Sequence, residues 1–169
     1  NIQGSSDSLI INNWFGTDAY KVDQFKFADG TVLTASQLES MGCLVYGATH
    51  NDTNINGSIG NDKMYGFTGD DTYKFGRGSG VDKIYNYTGD YATAIDTVLF
   101  GTGISTSDLQ LVKYRDYLLI NIKNTTDTLI IKDWVKGDAY KMDQFQFSNG
   151  TILTAGQLEA IGYQIKNIV

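Results

Sequence analysis

Apolar and polar residues alternate in short runs along this chain, and turns rich in Gly, Asn and Asp separate the runs. Gln144–Phe147 alternates with the period of two that a half-buried strand requires. Leu129–Trp134 begins with branched apolar residues typical of a strand. Leu109–Lys113 and Tyr117–Ile122 have the same character and predict a further hairpin. The pattern predicts a mainly β fold.

Turn and capping signals follow the strand at Gln144–Phe147. The pair Asn149-Gly150 predicts a two-residue hairpin turn in which both residues have positive φ. Thr151–Thr154 would then be the returning strand. Its last residue, with Gln157, fits the capping box that begins a helix. We therefore expect a short helix, closed by Gly162.

The chain contains an internal repeat. Residues 1–45 align without a gap on residues 121–165, and both copies contain the run Asp-Ala-Tyr-Lys followed by Asp-Gln-Phe. The same hairpin and short helix are therefore predicted twice, with a strand at Ser8–Trp14 as the first copy's counterpart of Leu129–Trp134. That strand would lack the preceding hairpin of its twin, so we expect an exposed edge there that contacts another chain or repeat. We also expect the first copy to cap the central section near Gly47.

Residues 47–84 have a different, nine-residue pattern. Gly57–Tyr65 and Gly66–Lys74 both fit G-x-x-G-x-D-x-U-x, where U is a large apolar residue. Looser turns lie on either side, at Gly47–Asp52 and Gly76–Ile84. Six residues of such a unit form a tight turn and three form a strand, and two units complete one coil of a parallel β-roll. The residues expected to point into the roll are Met64, Tyr73 and Ile84.

Turns two apart in sequence should stack about one strand spacing (~4.8 Å) apart. Asp52 would then share an edge with Asp71, and Asp62 with Asp82. Ca²⁺ takes six to eight oxygen ligands, which carboxylates and turn carbonyls can supply. The candidate ligands are Asp52, Asp62, Asp71, Asp82, Gly57, Ile59, Asn61, Gly66, Thr68 and Asp70. The alternative is that these are ordinary turns in which Asp binds its own backbone. Asp90 and Asp96 lie in a further loop where a plain turn is favoured, although either could add a ligand.

These residues carry a resemblance to a known family. The nonapeptides resemble those of RTX (repeats-in-toxin, haemolysin-type calcium-binding) proteins, and Gly69–Gly80 is similar to the sequence that ends their rolls. Leu129–Trp134 with Phe145–Thr151 resembles the associated haemolysin-type calcium-binding related domain. The resemblance implies bacterial type I export, folding on meeting extracellular calcium, and parent proteins such as toxins, proteases, lipases or adhesins. With two good and two degenerate turns, we expect one to three calcium ions.

Composition narrows the partners. The net charge of −6 makes nucleic acid a poor partner, because phosphates need Lys and Arg to neutralise them. A single cysteine, Cys43, allows no intramolecular disulfide. No membrane span or signal peptide is apparent in the sequence. The first residue is Asn1, so we expect an excised piece or a processed product. The predicted location is secreted or on the bacterial cell surface.

The sequence predicts no enzyme. His50 is the single histidine, and no nucleophile motif accompanies it. Cys43 aligns with Tyr163, which indicates a packing position. The paired aromatics of the two copies could stack on sugars, but their apolar neighbours favour a core role: Trp14, Trp134, Tyr20 and Tyr140.

The predicted organisation is a short calcium-binding parallel β-roll at residues 47–100. Antiparallel hairpin units, each with a short helix, flank it at residues 1–46 and 101–169. The predicted function is a calcium-binding structural module of a large exported protein. Its expected partners are calcium, neighbouring repeats of the parent chain and a surface glycan or protein target. An adhesin or carbohydrate-binding module with purely structural calcium is the alternative.

Overall fold

A computed structural model of the chain describes residue 6 and residues 9–12, 14–15, 17–87 and 93–164. The fold is mainly β, as predicted. The chain divides into two compact units, residues 1–38 and 39–169. The strands are β1 Gln24–Lys26, β2 Val32–Thr34, β3 Leu44–Tyr46, β4 Ile55–Asn56, β5 Lys63–Tyr65, β6 Thr72–Phe75, β7 Val81–Tyr85, β8 Thr97–Phe100, β9 Leu109–Tyr114, β10 Tyr117–Ile122, β11 Thr128–Ile131, β12 Gln144–Gln146 and β13 Ile152–Thr154. The α-helices are α1 Ala35–Glu39 and α2 Ala155–Glu159.

The first unit contains an antiparallel hairpin of β1 and β2, in which Phe25 lies opposite Leu33. The ring of Trp14 packs against Phe25, with 5.8 Å between centroids. A single 3₁₀ turn at Asp18–Tyr20 precedes the hairpin. Tyr20 is 55% exposed, so the predicted core role is wrong for this residue.

The predicted strand at Ser8–Trp14 is not formed by its described residues. Leu9–Ile11 have no regular structure, and Leu9 and Ile10 are 73% and 79% exposed. The aligned strand β11 lies between β10 and β7, which bond it on both sides. Among the described residues, no strand pairs with Leu9–Ile11. A short apolar run without a neighbouring strand has no partners for its backbone groups, so it does not form a ladder.

The second unit is built around a parallel roll. Successive strands alternate between two sheets, so that β3, β5, β7 and β11 are neighbours in one and β4, β6, β8 and β12 are neighbours in the other. All of these neighbouring pairs are parallel. The β9–β10 hairpin extends the first sheet to six strands, and β13 extends the second to five. Both sheets run without interruption across the predicted boundary at residue 100, because β11 and β12 form one more coil.

The core fills the space between the two sheets. Met64, Tyr73 and Ile84 are fully buried, as predicted. Trp134 is 1% exposed and packs edge-on against Phe145, at 6.1 Å between centroids, which confirms its core role. Alternate residues of each roll strand point inward, and the large apolar residue of each nine-residue unit occupies an inward-pointing position in the core.

The turn at Asn149-Gly150 differs from the prediction. Only Gly150 has positive φ, at 86°, and its N–H donates to the carbonyl of Phe147 at 3.0 Å or less. This arrangement matches the longer hairpin loop that ends in a left-handed glycine, so the hairpin is confirmed and the two-residue turn is wrong. The capping box is confirmed, because Thr154 Oγ1 and Gln157 Oε1 each accept the other residue's N–H.

Within the described residues, no helix has the length and apolar character needed to cross a membrane.

Candidate metal centre

The roll has two edges where the chain turns from one sheet to the other. We call the edge that follows β3, β5, β7 and β11 the long edge, and the edge that follows β4 and β6 the short edge. One aspartate lies at or near the end of each of these turns. The long-edge aspartates are Asp52, Asp71, Asp96 and Asp143, and the short-edge aspartates are Asp62 and Asp82.

On the long edge, each aspartate side chain binds the backbone of the aspartate one coil earlier. Asp71 Oδ1 accepts from the N–H of Asp52 at 3.0 Å. Asp96 Oδ1 accepts from the N–H of Asp71 at 3.0 Å, and Asp143 Oδ2 from the N–H of Asp96 at 2.9 Å. The carboxylates therefore form a continuous column along the stacking direction, and Asp52 shares this edge with Asp71 as predicted.

The short edge repeats this geometry over fewer coils. Asp82 Oδ1 accepts from the N–H of Asp62 at 2.9 Å. Asp62 Oδ1 accepts in turn from the N–H of Cys43 at 2.5 Å. The side chain of Ser58 also donates to Asp62 Oδ1, at 2.9 Å. Asp127 follows next, and its two oxygens accept the N–H groups of Gly78 and Gly80, each at 2.9 Å.

In three of the turns, the first glycine makes room for the aspartate that follows it, as Gly47 does for Asp52. A Cβ on Gly66 would collide with Asp71 Oδ2 and with the hydroxyl of Tyr73. A Cβ on Gly57 would collide with Asp62 Oδ2 in the same way. The glycine and the aspartate of the nine-residue pattern are thus linked sterically, because the carboxylate takes the space that a side chain would need.

The aspartates in the middle of each column are almost completely buried, which is unusual for a charged side chain. Asp62, Asp71, Asp82 and Asp96 are each 1% exposed. Two oxygens among the described residues, Asp71 Oδ2 and Asp82 Oδ2, are buried with no hydrogen-bond partner. A buried carboxylate in which one oxygen lacks a partner is costly unless the group is protonated or meets a cation.

The pKa values of these groups reflect that cost. Burial raises the pKa of Asp71 to about 7, against the lowering effect of the Asp52 N–H, and the nearby carboxylates add to the rise. Burial also raises the pKa of Asp82 to about 7, and the carboxylates of Asp62 and Asp127 act in the same direction. The pKa of Asp96 is also raised, mainly because the carboxyl group is buried. A cation at either column would remove the penalty.

Among the described residues, no Lys, Arg or His forms an ion pair with these carboxylates. The ion pairs formed by the described residues involve other carboxylates, such as those of Asp108 and Asp133, and none joins a member of either column. The described residues also contain no cluster of three or more His, Cys, Asp or Glu side chains that could hold a metal alone. An ion here would need backbone carbonyl oxygens together with one or two carboxylates, a donor set of the kind that Ca²⁺ accepts.

The remaining predicted ligands lie in the same turns. Asn61 Oδ1 accepts from the N–H of Val81 at 2.9 Å, and Asp70 Oδ1 accepts from the N–H of Ile95 at 2.9 Å. These two side chains therefore tie one coil to the next. The side chain of Ile59 is 53% exposed and that of Thr68 is half-buried, so their backbone carbonyls are the groups left to act as ligands.

Sequence reasoning missed two members of the long-edge column, Asp96 and Asp143, and the carboxylate of Asp127 beside the short edge. Asp96 was favoured as a plain turn residue, yet it is the third member of the long edge. Asp143 and Asp127 were not considered as ligands, because they follow irregular loops outside the nine-residue pattern. The signal that they share is an Asp directly before the first residue of a strand, as Asp71 lies before Thr72. Asp90 lies outside the described residues.

Comparison with protein families gives a match on both sides of the roll. The profile of the haemolysin-type calcium binding protein related domain matches residues 1–37 and 118–157. The chain is similar to that domain family over these two segments. The match supports a place for the chain among the RTX-like calcium-binding proteins, and supports a calcium-binding module. No curated protein matches the chain.

The residues present fit calcium. Asp71 and Asp82 each direct one carboxylate oxygen into the interior of a turn stack without a partner. Their other oxygen is fixed by a backbone N–H of the adjacent coil, so each side chain is already oriented. Ca²⁺ bound at these positions would supply positive charge and accept further carbonyl ligands.

Proposed function

We propose that the roll binds one to three Ca²⁺ ions between stacked turns, and that binding stabilises the folded second unit. The observation that carries this proposal is the two columns of buried carboxylates, which have no cationic partner among the residues that the structure describes. Asp71 would hold an ion on the long edge and Asp82 on the short edge, with turn carbonyls completing the ligand set. Asp52 and Asp62 would hold the neighbouring turns in register.

In this proposal the protein does not catalyse a reaction. It acts as a structural module of a larger exported protein of the RTX type, secreted or displayed on a bacterial cell surface. Calcium is scarce inside cells and abundant outside, so a site with the weak affinity of extracellular modules, Kd roughly 10⁻⁴–10⁻³ M, would fill after export. Unfolded chain would be favoured before export and folded chain after it.

A calcium titration with a chelator control tests this function. The melting temperature of the protein, followed by circular dichroism, should rise with calcium and fall again when excess EDTA is added. Magnesium at the same concentration should have a smaller effect, because it prefers a smaller, octahedral shell and retains its water. An unchanged melting temperature in EDTA would remove the basis for a calcium role.

A second candidate function is glycan binding, and an aromatic cleft favours it. Tyr46, Tyr65 and Tyr85 stack along the outer face of the six-stranded sheet, with ring centroids 5.2 and 4.5 Å apart. A cleft of about 350 Å³ opens beside them, lined also by Phe67 and Tyr87. Aromatic rings with polar groups at the rim are a common way to bind the flat face of a sugar.

Phe67 is the notable residue of this cleft. It is 44% exposed and has a φ of 70°, and it occupies the second position of its unit, which is glycine in the full G-G-x-G-x-D-x-U-x form of the pattern. A large side chain in this conformation is strained, and such strain concentrates at functional sites. A glycan microarray can test the idea: Phe67→Gly and Tyr87→Ala should lose the signal, whereas Tyr114→Ala, on a different strand, should keep it. No signal from the wild-type protein would discard this candidate.

A further inference from the structure

The six-stranded sheet has an open side at its first strand. Within the described part of the chain, β3 pairs with β5 and with no other strand. Leu44 and Tyr46 are 58% and 61% exposed. A strand in this position presents unpaired backbone groups to any strand of matching register.

The hydrogen bonds of β3 show which groups face the open side. The carbonyl of Cys43 accepts from Lys63 at 2.8 Å, and the N–H of Gly47 donates to the carbonyl of Tyr65 at 2.7 Å. Both bonds point toward β5. Because backbone groups alternate along a strand, the N–H and C=O groups of Leu44 and Tyr46 point the other way.

The second copy of the repeat shows what the same segment pairs with. The alignment places Tyr163 and Gln164 at the positions of Cys43 and Leu44. Tyr163 forms a parallel bridge with Leu111 of β9. The N–H of Gln164 donates to the carbonyl of Leu111 at 2.7 Å. The residue aligned with Leu44 thus uses the N–H that β3 leaves free, and uses it on the outer edge of β9.

We propose that β3 of one molecule docks on β9 of a second copy of this chain. In the register of the bridge, the Leu44 N–H would donate to the carbonyl of Leu111, and the Tyr46 N–H to the carbonyl of Lys113. The Tyr163–Gln164 segment of the second molecule would leave its place on β9. That segment forms one isolated bridge there, whereas β3 is an ordered strand already held by β5.

The contact joins two different edges, so it does not close on itself. Each molecule would offer β3 at one end and β9 at the other, which gives head-to-tail chains. The same pairing between successive repeats of one polypeptide would make the six-stranded sheets continuous from repeat to repeat. A second copy in trans is the partner that we propose and test, and the proposal does not depend on calcium being the ligand of the roll.

Sedimentation velocity over a range of protein concentrations tests the contact with two variants that should change the strength of association in opposite directions. Leu44→Pro removes a backbone N–H that β5 does not use, and should weaken association about five- to tenfold. Gln164→Pro removes the competing bond to β9 and should strengthen association. Tyr46→Lys gives a second way to block the edge if the proline variant does not fold.

Hydrogen exchange identifies the edge itself. On association, the amides of Leu44 and Tyr46 should become protected, whereas the amide of Val45 should exchange equally in both states. A wild-type protein that stays monomeric at the highest soluble concentration would overturn the proposal. So would association that Leu44→Pro and Tyr46→Lys both leave unchanged, or that Gln164→Pro weakens.

Discussion

Replacing Asp71 by Asn should raise stability without calcium and reduce the further stabilisation that calcium brings. Asn has the shape of Asp, keeps the acceptor for the Asp52 N–H at Oδ1 and carries no charge. In the calcium-free protein the ionised carboxylate is buried, with a pKa of about 7 against an ordinary value of 3.8. At about 1.4 kcal/mol per pKa unit, the ionised form costs up to about 4 kcal/mol at pH 7.

The amide offsets part of this gain, because its NH₂ group would lie where Asp71 Oδ2 has no partner. An unmade buried hydrogen bond costs about 1–3 kcal/mol. We therefore expect Asp71→Asn to stabilise the calcium-free protein by about 1–3 kcal/mol. For a chain of this length, that raises the melting temperature by roughly 2–4 °C for each kcal/mol.

The Asp71→Asn protein should gain less stability from calcium than the wild-type protein does. The wild-type protein gains about 1.4 kcal/mol per site at ten times Kd, and more at higher concentration. The Asp71→Asn protein should lose the long-edge part of this gain and keep the short-edge part. Adding Asp82→Asn should remove the rest.

Thermal unfolding in EDTA and in calcium measures both effects. The matched control is Asp138→Asn, since the Asp138 side chain is 98% exposed and should change neither melting temperature. If Asp71→Asn destabilises the calcium-free protein and leaves the full calcium response, the buried carboxylate does not destabilise the calcium-free protein and is not a calcium ligand. That result would refute the reasoning.

Three further predictions concern other links in the fold. Gly66→Ala places a methyl group against the Asp71 carboxylate and should cost about 1–3 kcal/mol, measured by urea unfolding. Without calcium, the raised pKa values of Asp71 and Asp82 should make the protein less stable as pH rises from about 4 to about 7. The folded protein holds these two protons more tightly than the unfolded chain does, so their contribution to stability is complete below the unfolded pKa and is lost as pH rises through the folded pKa. Melting temperatures measured in EDTA across this range check the prediction. Amides of Leu9–Ile11 should exchange faster than those of Leu129–Ile131 in a mass-spectrometric time course, and equal protection in a monomer would contradict the missing-partner explanation.

Much of the roll could be predicted because its pattern is local. Nine-residue spacing places Met64 and Tyr73 inside and puts Asp52 and Asp71 on one edge, and all of these placements follow from strand alternation and stacking. The capping box at Thr154 is equally local, since its bonds span three residues. Where a few neighbouring residues decide the geometry, the sequence is sufficient to predict the local structure.

The continuation of the roll was not predictable in this way. Asp96 and Asp143 complete the long edge, but irregular loops break the nine-residue spacing before each of them. The β9–β10 hairpin also separates β8 from β11, so the last coil is assembled from distant segments. The strand expected at Ser8–Trp14 is absent from its described residues for a related reason: a strand depends on its neighbours, which the residues of the run do not encode.

The most direct test of the calcium account is isothermal titration of the chelator-treated protein with Ca²⁺, repeated on the Asp71→Asn/Asp82→Asn variant. The account predicts saturable binding of one to three ions to the wild-type protein, with the sites that depend on Asp71 and Asp82 lost in the variant. Equal binding by both proteins, or no binding by the wild type while it remains folded, would contradict it.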